Sequence, residues 1–308
     1  MVSINVTDMF LSARCFPLLE ELDFGNPNYI SNTKYFNTFF DEVEAQPLTF
    51  FKLRKINLSR HYYIDDKLIF YLFKNCKLLE EAIVYECNLL TNVGIAAALC
   101  KRPTLSSLSF TSYEPQDYAM LFEFIKNCPS LSEIKVEYKC MSIESLENSS
   151  SLVDFVESPQ LKSLSLIHNC WLNNENIEMV SSLFPNLQLL DLSHCYDISE
   201  EGICQILRRC CEIKHLNLSY CPRVKLRKMN FEVPKLEVLN LSHTRVDDKA
   251  LCVISKSCYG VLQLLLKWCM YITEKGVKHV VENCTQLREL NLRNCYGVDH
   301  KVVSLMVF

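Results

Sequence analysis

Apolar residues recur along this chain in one fixed figure. A leucine-type residue is followed by others three and five positions later, and by a Cys or Asn near the eighth position, so that the unit reads L-x-x-L-x-L-x-x-C/N. It begins at Leu19, Leu53, Leu79, Leu105, Leu131, Leu161, Leu187, Ile213, Leu236, Val261 and Leu287, with spacings of 34, 26, 26, 26, 30, 26, 26, 23, 25 and 26. In Leu187-Gln188-Leu189-Leu190-Asp191-Leu192-Ser193-His194-Cys195, Leu190 and Leu192 alternate with polar neighbours. That is the period of a half-buried strand. Further on, Ile203, Ile206 and Leu207 recur at helical spacing, and Cys210 closes the apolar face. Ser199 stands where the helix needs an N-cap, followed by Glu200 and Glu201 at the positive end of the helix dipole. Asp65, Thr91, Thr273 and Asp299 hold the same place in other copies.

Each copy is therefore expected to be a short strand, a turn, a helix and a return loop. One copy cannot bury its own leucines. Stacking buries them against the neighbouring copies, at about 1.5–3 kcal/mol per fully buried aliphatic side chain. The period and the pattern are those of a leucine-rich repeat. The expected fold class is α/β, a leucine-rich repeat solenoid in the form of a right-handed horseshoe of ten to eleven repeats. Parallel strands would line its concave face and helices its convex face. A core that grows linearly lets all 308 residues form a single repeat domain, residues 1–308. Within it, residues 1–18 would be a partial first repeat, and residues 25–50 and 141–160 longer loops.

Charge narrows the function classes only slightly. The net charge is −4, too small for an acidic tail or a polyanion-binding surface. The start Met1-Val2-Ser3-Ile4-Asn5 lacks the basic and apolar segments of a secretory signal, and no run is apolar for long enough to cross a membrane. A cytoplasmic or nuclear location, with no membrane partner, is the expectation.

The 17 cysteines fall into columns. Cys87, Cys195, Cys221, Cys269 and Cys295 lie eight residues after a repeat start, Cys140 and Cys170 nine after, and Cys76, Cys128, Cys210, Cys258 and Cys284 three before the next. Reduced thiols that behave as small buried hydrophobes explain such columns; redox or metal roles are the competing reading. No C-x-x-C occurs, which weakens zinc. The N-x-S/T triplets at Asn57, Asn217 and Asn240 fall inside predicted strands and are read as accidents of the repeat.

Two stretches resemble the cysteine-containing repeats of F-box/LRR proteins closely. One is Leu190-Asp191-Leu192-Ser193-His194-Cys195 with Ile198-Ser199, Gly202-Ile203 and Cys210; the other is Leu264-Leu265-Leu266-Lys267-Trp268-Cys269 with Ile272-Thr273, Gly276-Val277 and Cys284. The resemblance covers about residues 4–308 and suggests a plant member. It implies a substrate-recognition part of an SCF-type ubiquitin ligase, acting in ubiquitin-dependent protein catabolism. In that family the repeats hold a target while an F-box recruits a Skp-type adaptor and a cullin. This chain departs from the pattern: it contains no Leu-Pro dipeptide of the kind usual near the start of an F-box, and both ends look cut. The chain is accordingly expected to lack an F-box, as a fragment or a paralogue. Adaptor and cullin would then be partners only where an F-box is supplied elsewhere. A stand-alone interaction or inhibitor module is the alternative, and a small-molecule receptor closed by the Gly25–Phe50 loop a further one.

Residues two, four, six and seven after each repeat start are expected to face the concave side. The fourth-position column contains Asp191, Asn217, Asn240 and Asn291, the sixth Lys267 and Arg293, and the seventh His168, His194, Tyr220, His243, Trp268 and Asn294. Asp191, Asn217, Asn240, Lys267, Asn291, Arg293, His194, Tyr220, His243 and Trp268 are the candidate partner-binding residues, because aromatic and cationic side chains dominate protein interfaces. The competing reading makes the histidines partly buried strand ends typical of the repeat. Arg223, Lys225, Arg227, Lys228 and Lys235 crowd the shortest repeat, as a phosphate or nucleic-acid site or as a solvated face. The missing aromatic interleaving favours the solvated face and no nucleic-acid partner. The six glycines form no phosphate loop or dinucleotide fingerprint. No cofactor, no metal and no catalytic residue is expected.

Overall fold

The computed structural model describes residues 16, 18–25, 52–61, 63–113, 119–139, 157–170 and 172–299. The partial first repeat expected before residue 16, nearly all of the two expected longer loops, Cys140 and the helix that Asp299 is expected to cap lie outside the described residues. The chain divides into two compact units, residues 1–150 and 151–308.

In the first unit the strands are β1 (Glu21–Asp23), β2 (Lys55–Asn57), β3 (Glu81–Val84), β4 (Ser107–Ser112) and β5 (Glu133–Tyr138). Each pairs in parallel with the next in chain order. Helices α1 (Asp66–Asn75), α2 (Asn92–Leu99) and α3 (Ala119–Asn127) follow β2, β3 and β4. The second unit holds β6 (Ser163–Ile167), β7 (Leu189–Asp191), β8 (His215–Asn217), β9 (Val238–Asn240), β10 (Gln263–Leu265) and β11 (Glu289–Asn291), again parallel and in chain order. Its helices are α4 (Asn174–Leu183), α5 (Glu200–Arg209), α6 (Asp248–Ser257) and α7 (Glu274–Asn283). All eleven strands begin two residues after a predicted repeat start. Register follows repeat length: Leu190 sits beside Leu216, and Leu216 beside Leu239, one repeat apart. This is the α/β leucine-rich repeat architecture.

The leucines at positions zero, three and five are buried in the inner copies, as Leu187, Leu190 and Leu192 illustrate, while Leu19, Leu287 and Leu290 of the end copies are half-buried. In α5, Ile203, Ile206 and Leu207 bury the opposing helix face. Of the five predicted caps, Asp65, Thr91, Ser199 and Thr273 cap α1, α2, α5 and α7, each accepting a backbone N–H of the first turn. Asn173 and Asp247 do the same for α4 and α6.

A second device ties successive caps together. Asp66 Oδ1 accepts the backbone N–H of Thr91 at 2.8 Å, Asn174 Oδ1 that of Ser199 at 3.0 Å, Asp248 Oδ1 that of Thr273 at 2.7 Å, and Glu274 Oε1 that of Asp299 at 2.6 Å. The first residue of one helix thus clasps the next repeat's cap. Gly202 and Gly276 exist for this approach. A Cβ on Gly202 would lie 2.5 Å from Asn174 Oδ1, and one on Gly276 2.5 Å from Asp248 Oδ1.

The cysteine columns are hydrogen-bonded ladders. Cys87, Cys195, Cys221, Cys269 and Cys295 donate to the carbonyls of Leu58, Leu166, Leu192, Leu241 and Leu266, at 2.9–3.2 Å. Each acceptor is the fifth-position residue of the preceding repeat. In the second column, Cys128 and Cys210 donate to Arg102 O and Phe184 O at 3.2 and 3.4 Å. Burial pushes the thiols of Cys76, Cys87, Cys210, Cys221 and Cys258 up to about 12, so they stay protonated donors.

One repeat departs from the predicted plan. Between β8 and β9 the chain forms no helix, although every residue there is described. This shortest copy alternates instead: Val224 and Leu226 are buried while Arg223, Lys225 and Arg227 are exposed. Pro222 and Pro234 bracket the segment, and period-two burial cannot present a helical stripe.

Candidate recognition stripe

The exposed face of the second unit's sheet is organised by its strand ends. At position four, a short amide or carboxylate oxygen accepts the backbone N–H two residues later. Asp191 Oδ1 takes Ser193, Asn217 Oδ1 takes Ser219, Asn240 Oδ1 takes Ser242 and Asn291 Oδ1 takes Arg293, at 2.9–3.2 Å. These are Asx turns, the local bond that Asp and Asn supply best. Asp191 Oδ2 also accepts from Asn217 Nδ2 at 3.0 Å. The fourth-position column therefore shapes the strand ends, and much of its bonding capacity is spent internally.

Position seven lies in the left-handed region in every copy of the second unit, including those with Ser165 and Leu265 at position four. His168, His194, Tyr220, His243, Trp268 and Asn294 have φ between 59° and 63°. For a side-chain-bearing residue that costs about 1–2 kcal/mol. Backbone bonds offset it: the N–H groups of His168, His194, Tyr220, His243 and Trp268 donate to position-six carbonyls of the next repeat at 2.8–3.0 Å.

The result is a continuous ring stack. His168 and His194 lie 4.1 Å apart between centroids, His194 and Tyr220 4.1 Å, Tyr220 and His243 4.0 Å, and His243 and Trp268 5.7 Å, with planes within 28°. Tyr296 meets Trp268 edge-on at 6.1 Å. The first three separations are below the ~4.8 Å spacing of strands, so these rings lean into van der Waals contact. Their faces are used on one another and their edges remain available. Tyr220 is 39% exposed and Trp268 41%, while His194 and His243 are half-buried. Burial lowers the basicity of both histidines, and His168 lowers His194 further, so the neutral rings are favoured.

The candidate residues thus separate into two sets. His194, Tyr220, His243 and Trp268 come together as one surface. Asp191, Asn217, Asn240 and Asn291 line up beside them, half-buried. Position six departs from the expectation for its serines: the short side chains of Ser193, Ser219 and Ser242 are buried, whereas the long ones of Lys267 and Arg293 are exposed. The sequence reading missed Tyr196, Met270, Tyr271 and Tyr296, all exposed just after the ladder cysteines. The signal was present as Cys195-Tyr196 and Cys295-Tyr296. Of the basic residues of the shortest repeat, Arg223 pairs with Asp197 at 3.1 Å, Lys228 with Glu201 at 3.0 Å, Lys235 with Glu212 at 2.5 Å and Arg227 with Asp247. Four of the five are locally neutralised, as a solvated face would be. Among the described residues, no group of three or more His, Cys, Asp or Glu is arranged to hold a metal ion, and no helix is long and apolar enough to cross a membrane.

The same repeats occur in proteins of known class. F-box/LRR-repeat protein 23 of Arabidopsis thaliana is 28% identical over 137 residues, covering 41% of this chain and 30% of that protein. F-box/LRR-repeat protein 4 of Bos taurus is 30% identical over 142 residues, covering 44% of this chain and 22% of that protein. The chain is a leucine-rich repeat protein similar to the F-box/LRR-repeat proteins. The match spans less than a third of the length of these relatives. Among solved structures, Rad7 from the yeast Rad7–Elc1 complex superposes with a TM-score of 0.61 at 16% identity, over 90% of this chain and 74% of that one. No family model matches the chain.

Proposed function

We propose that this chain is a protein-recognition scaffold, not an enzyme, and that it holds a target protein on the ring stack of its second unit. The carrying observation is the row from His194 to Trp268, in which two half-exposed aromatic rings are fixed by neighbours and backbone turns. Rings that are already ordered lose little entropy on binding, and Trp and Tyr are the residue types most often found at interface hot spots. Likeness to F-box/LRR-repeat proteins supports a narrower role: the substrate-binding part of an SCF-type ubiquitin ligase, in the cytoplasm or nucleus. Skp-type adaptor and cullin join only where an F-box is supplied. The chain has no intrinsic cofactor in this reading.

Affinity purification of the tagged chain from its native cells tests the role. Recovery of a Skp-type adaptor and a cullin with the target supports the ligase reading. Recovery of a target alone replaces it with a stand-alone interaction module, and recovery of no protein at all argues against recognition.

A further inference from the structure

The Trp268 end of the stripe differs chemically from the rest. Where the three preceding repeats carry buried serines at position six, β10 and β11 are followed by exposed Lys267 and Arg293. The two occupy equivalent places in adjacent repeats, since Leu265 pairs with Asn291 and the Trp268 N–H donates to Arg293 O at 3.0 Å. Adjacent strands are about 4.8 Å apart, so the two chain positions lie side by side. Arg245, also exposed, precedes Met270 and Tyr296 in the column that follows the ladder residue.

Thirteen ion pairs join described residues, and four of them neutralise the shortest repeat. None of the thirteen includes Arg245, Lys267 or Arg293. Three exposed cations in none of these ion pairs thus occupy the same or adjacent columns of neighbouring repeats as Trp268, Met270 and Tyr296, the last 71% exposed. Arg, Met and aromatic residues are the types enriched in interface centres. Like charges placed together without counterions are unfavourable in the free protein, and an acidic ligand relieves that repulsion.

We propose that this end of the stripe binds an acidic peptide segment of the partner, its carboxylates on Lys267, Arg293 and Arg245 and an apolar side chain against Trp268, Met270 and Tyr296. The inference rests on the protein-recognition reading and specifies its ligand class.

Selection of a phage-displayed random-peptide library on the full chain, in parallel with the exposed double variant Lys267→Glu/Arg293→Glu and with Trp268→Ala, tests it. Enriched peptides should be rich in Asp and Glu around an apolar residue. A synthetic copy should bind the charge-reversed variant at least about tenfold more weakly, and weaken as salt is raised. Unchanged circular dichroism and melting keep loss of binding distinct from loss of fold. Peptides that depend on Trp268 but show no acidic bias overturn this inference and leave protein recognition standing. No enrichment, or enrichment indifferent to Trp268, overturns both. Tighter binding of a single-stranded RNA oligonucleotide than of any selected peptide, lost on the same charge reversal, replaces the acidic peptide with a nucleic acid.

Discussion

Replacing Gly276 by Ala pits two effects of known sign against each other. Gly276 lies in the first turn of α7, where Ala is favoured over Gly by about 1 kcal/mol. An unobstructed site would therefore gain that much. Here the new Cβ would sit 2.5 Å from Asp248 Oδ1, 2.9 Å from Leu251 Cδ1 and 3.0 Å from Asp248 Cα. The last of these belongs to the backbone, so rotating the Asp248 side chain away relieves only part of the clash. Rotation also gives up three bonds to the carboxylate: from Thr273 N and Thr273 Oγ1, both at 2.7 Å, and from Gly276 N at 3.1 Å. At about 1 kcal/mol net for each, the loss is roughly 3 kcal/mol, and the net cost about 2 kcal/mol. Equilibrium denaturation of the full chain measures it. In an Asp248→Ala background, the cost of Gly276→Ala should fall below about 1 kcal/mol, because the clasp is already gone. A Gly276→Ala protein about 1 kcal/mol more stable than its parent would refute the inter-repeat clasp.

Other consequences are simpler to read. Leu190→Ala, at a fully buried strand position, should cost about 2–5 kcal/mol by denaturation, as a core cavity does. Of the described cysteines, the exposed Cys100 and Cys211 should be alkylated first in the native protein at neutral pH. The ladder thiols raised to about 12 should wait for unfolding, which mass spectrometry of timed samples will show. Burial holds the imidazoles of His61, His194 and His243 below the ordinary histidine value. The unfolded chain therefore takes up more protons than the folded one as pH falls below about 6.5, and stability, fully present above that pH, should be lost progressively on acidification. Denaturation midpoints at about pH 7.5 and about pH 5.5 check the sign, and an unchanged or higher midpoint at the lower pH would contradict it.

The repeat itself was legible because its evidence is apolar periodicity, and burial of Leu187, Leu190 and Leu192 enforces that directly. Caps at Asp65, Thr91, Ser199 and Thr273 were legible for a similar reason, since their effect is local. Contacts that cross from one repeat to the next were not. Asp66, Asn174 and Asp248 look like ordinary first-turn polar residues, and only stacking places them on the following cap. The ladder position also hides its members when they are not cysteine. His61 lies eight residues after Leu53, is buried, and its Nε2 donates to Phe24 O at 2.7 Å, doing the work of the thiols. Thr244 holds the same place in its repeat but bonds Leu241 O of that same repeat, at 2.6 Å, so the cross-repeat ladder is interrupted there. The absent helix after β8 was missed because a spacing of 23 was read as a shortened copy of the same unit. The ring stack was visible as a column. Its closeness was not, because it depends on left-handed backbone at residues such as Tyr220 and Trp268, which composition gives no reason to expect.

The central claim is that the row His194, Tyr220, His243 and Trp268 is a recognition surface rather than a by-product of the repeat. The most direct test compares the tagged parent with Tyr220→Ala/Trp268→Ala in affinity purification from native cells, with quantitative mass spectrometry and a melting curve for each. Protein partners captured by the parent should be strongly depleted from the variant while the melting transition barely moves. Undiminished capture by the variant would contradict the claim, and equal loss of capture and stability would make these rings part of the fold's own packing.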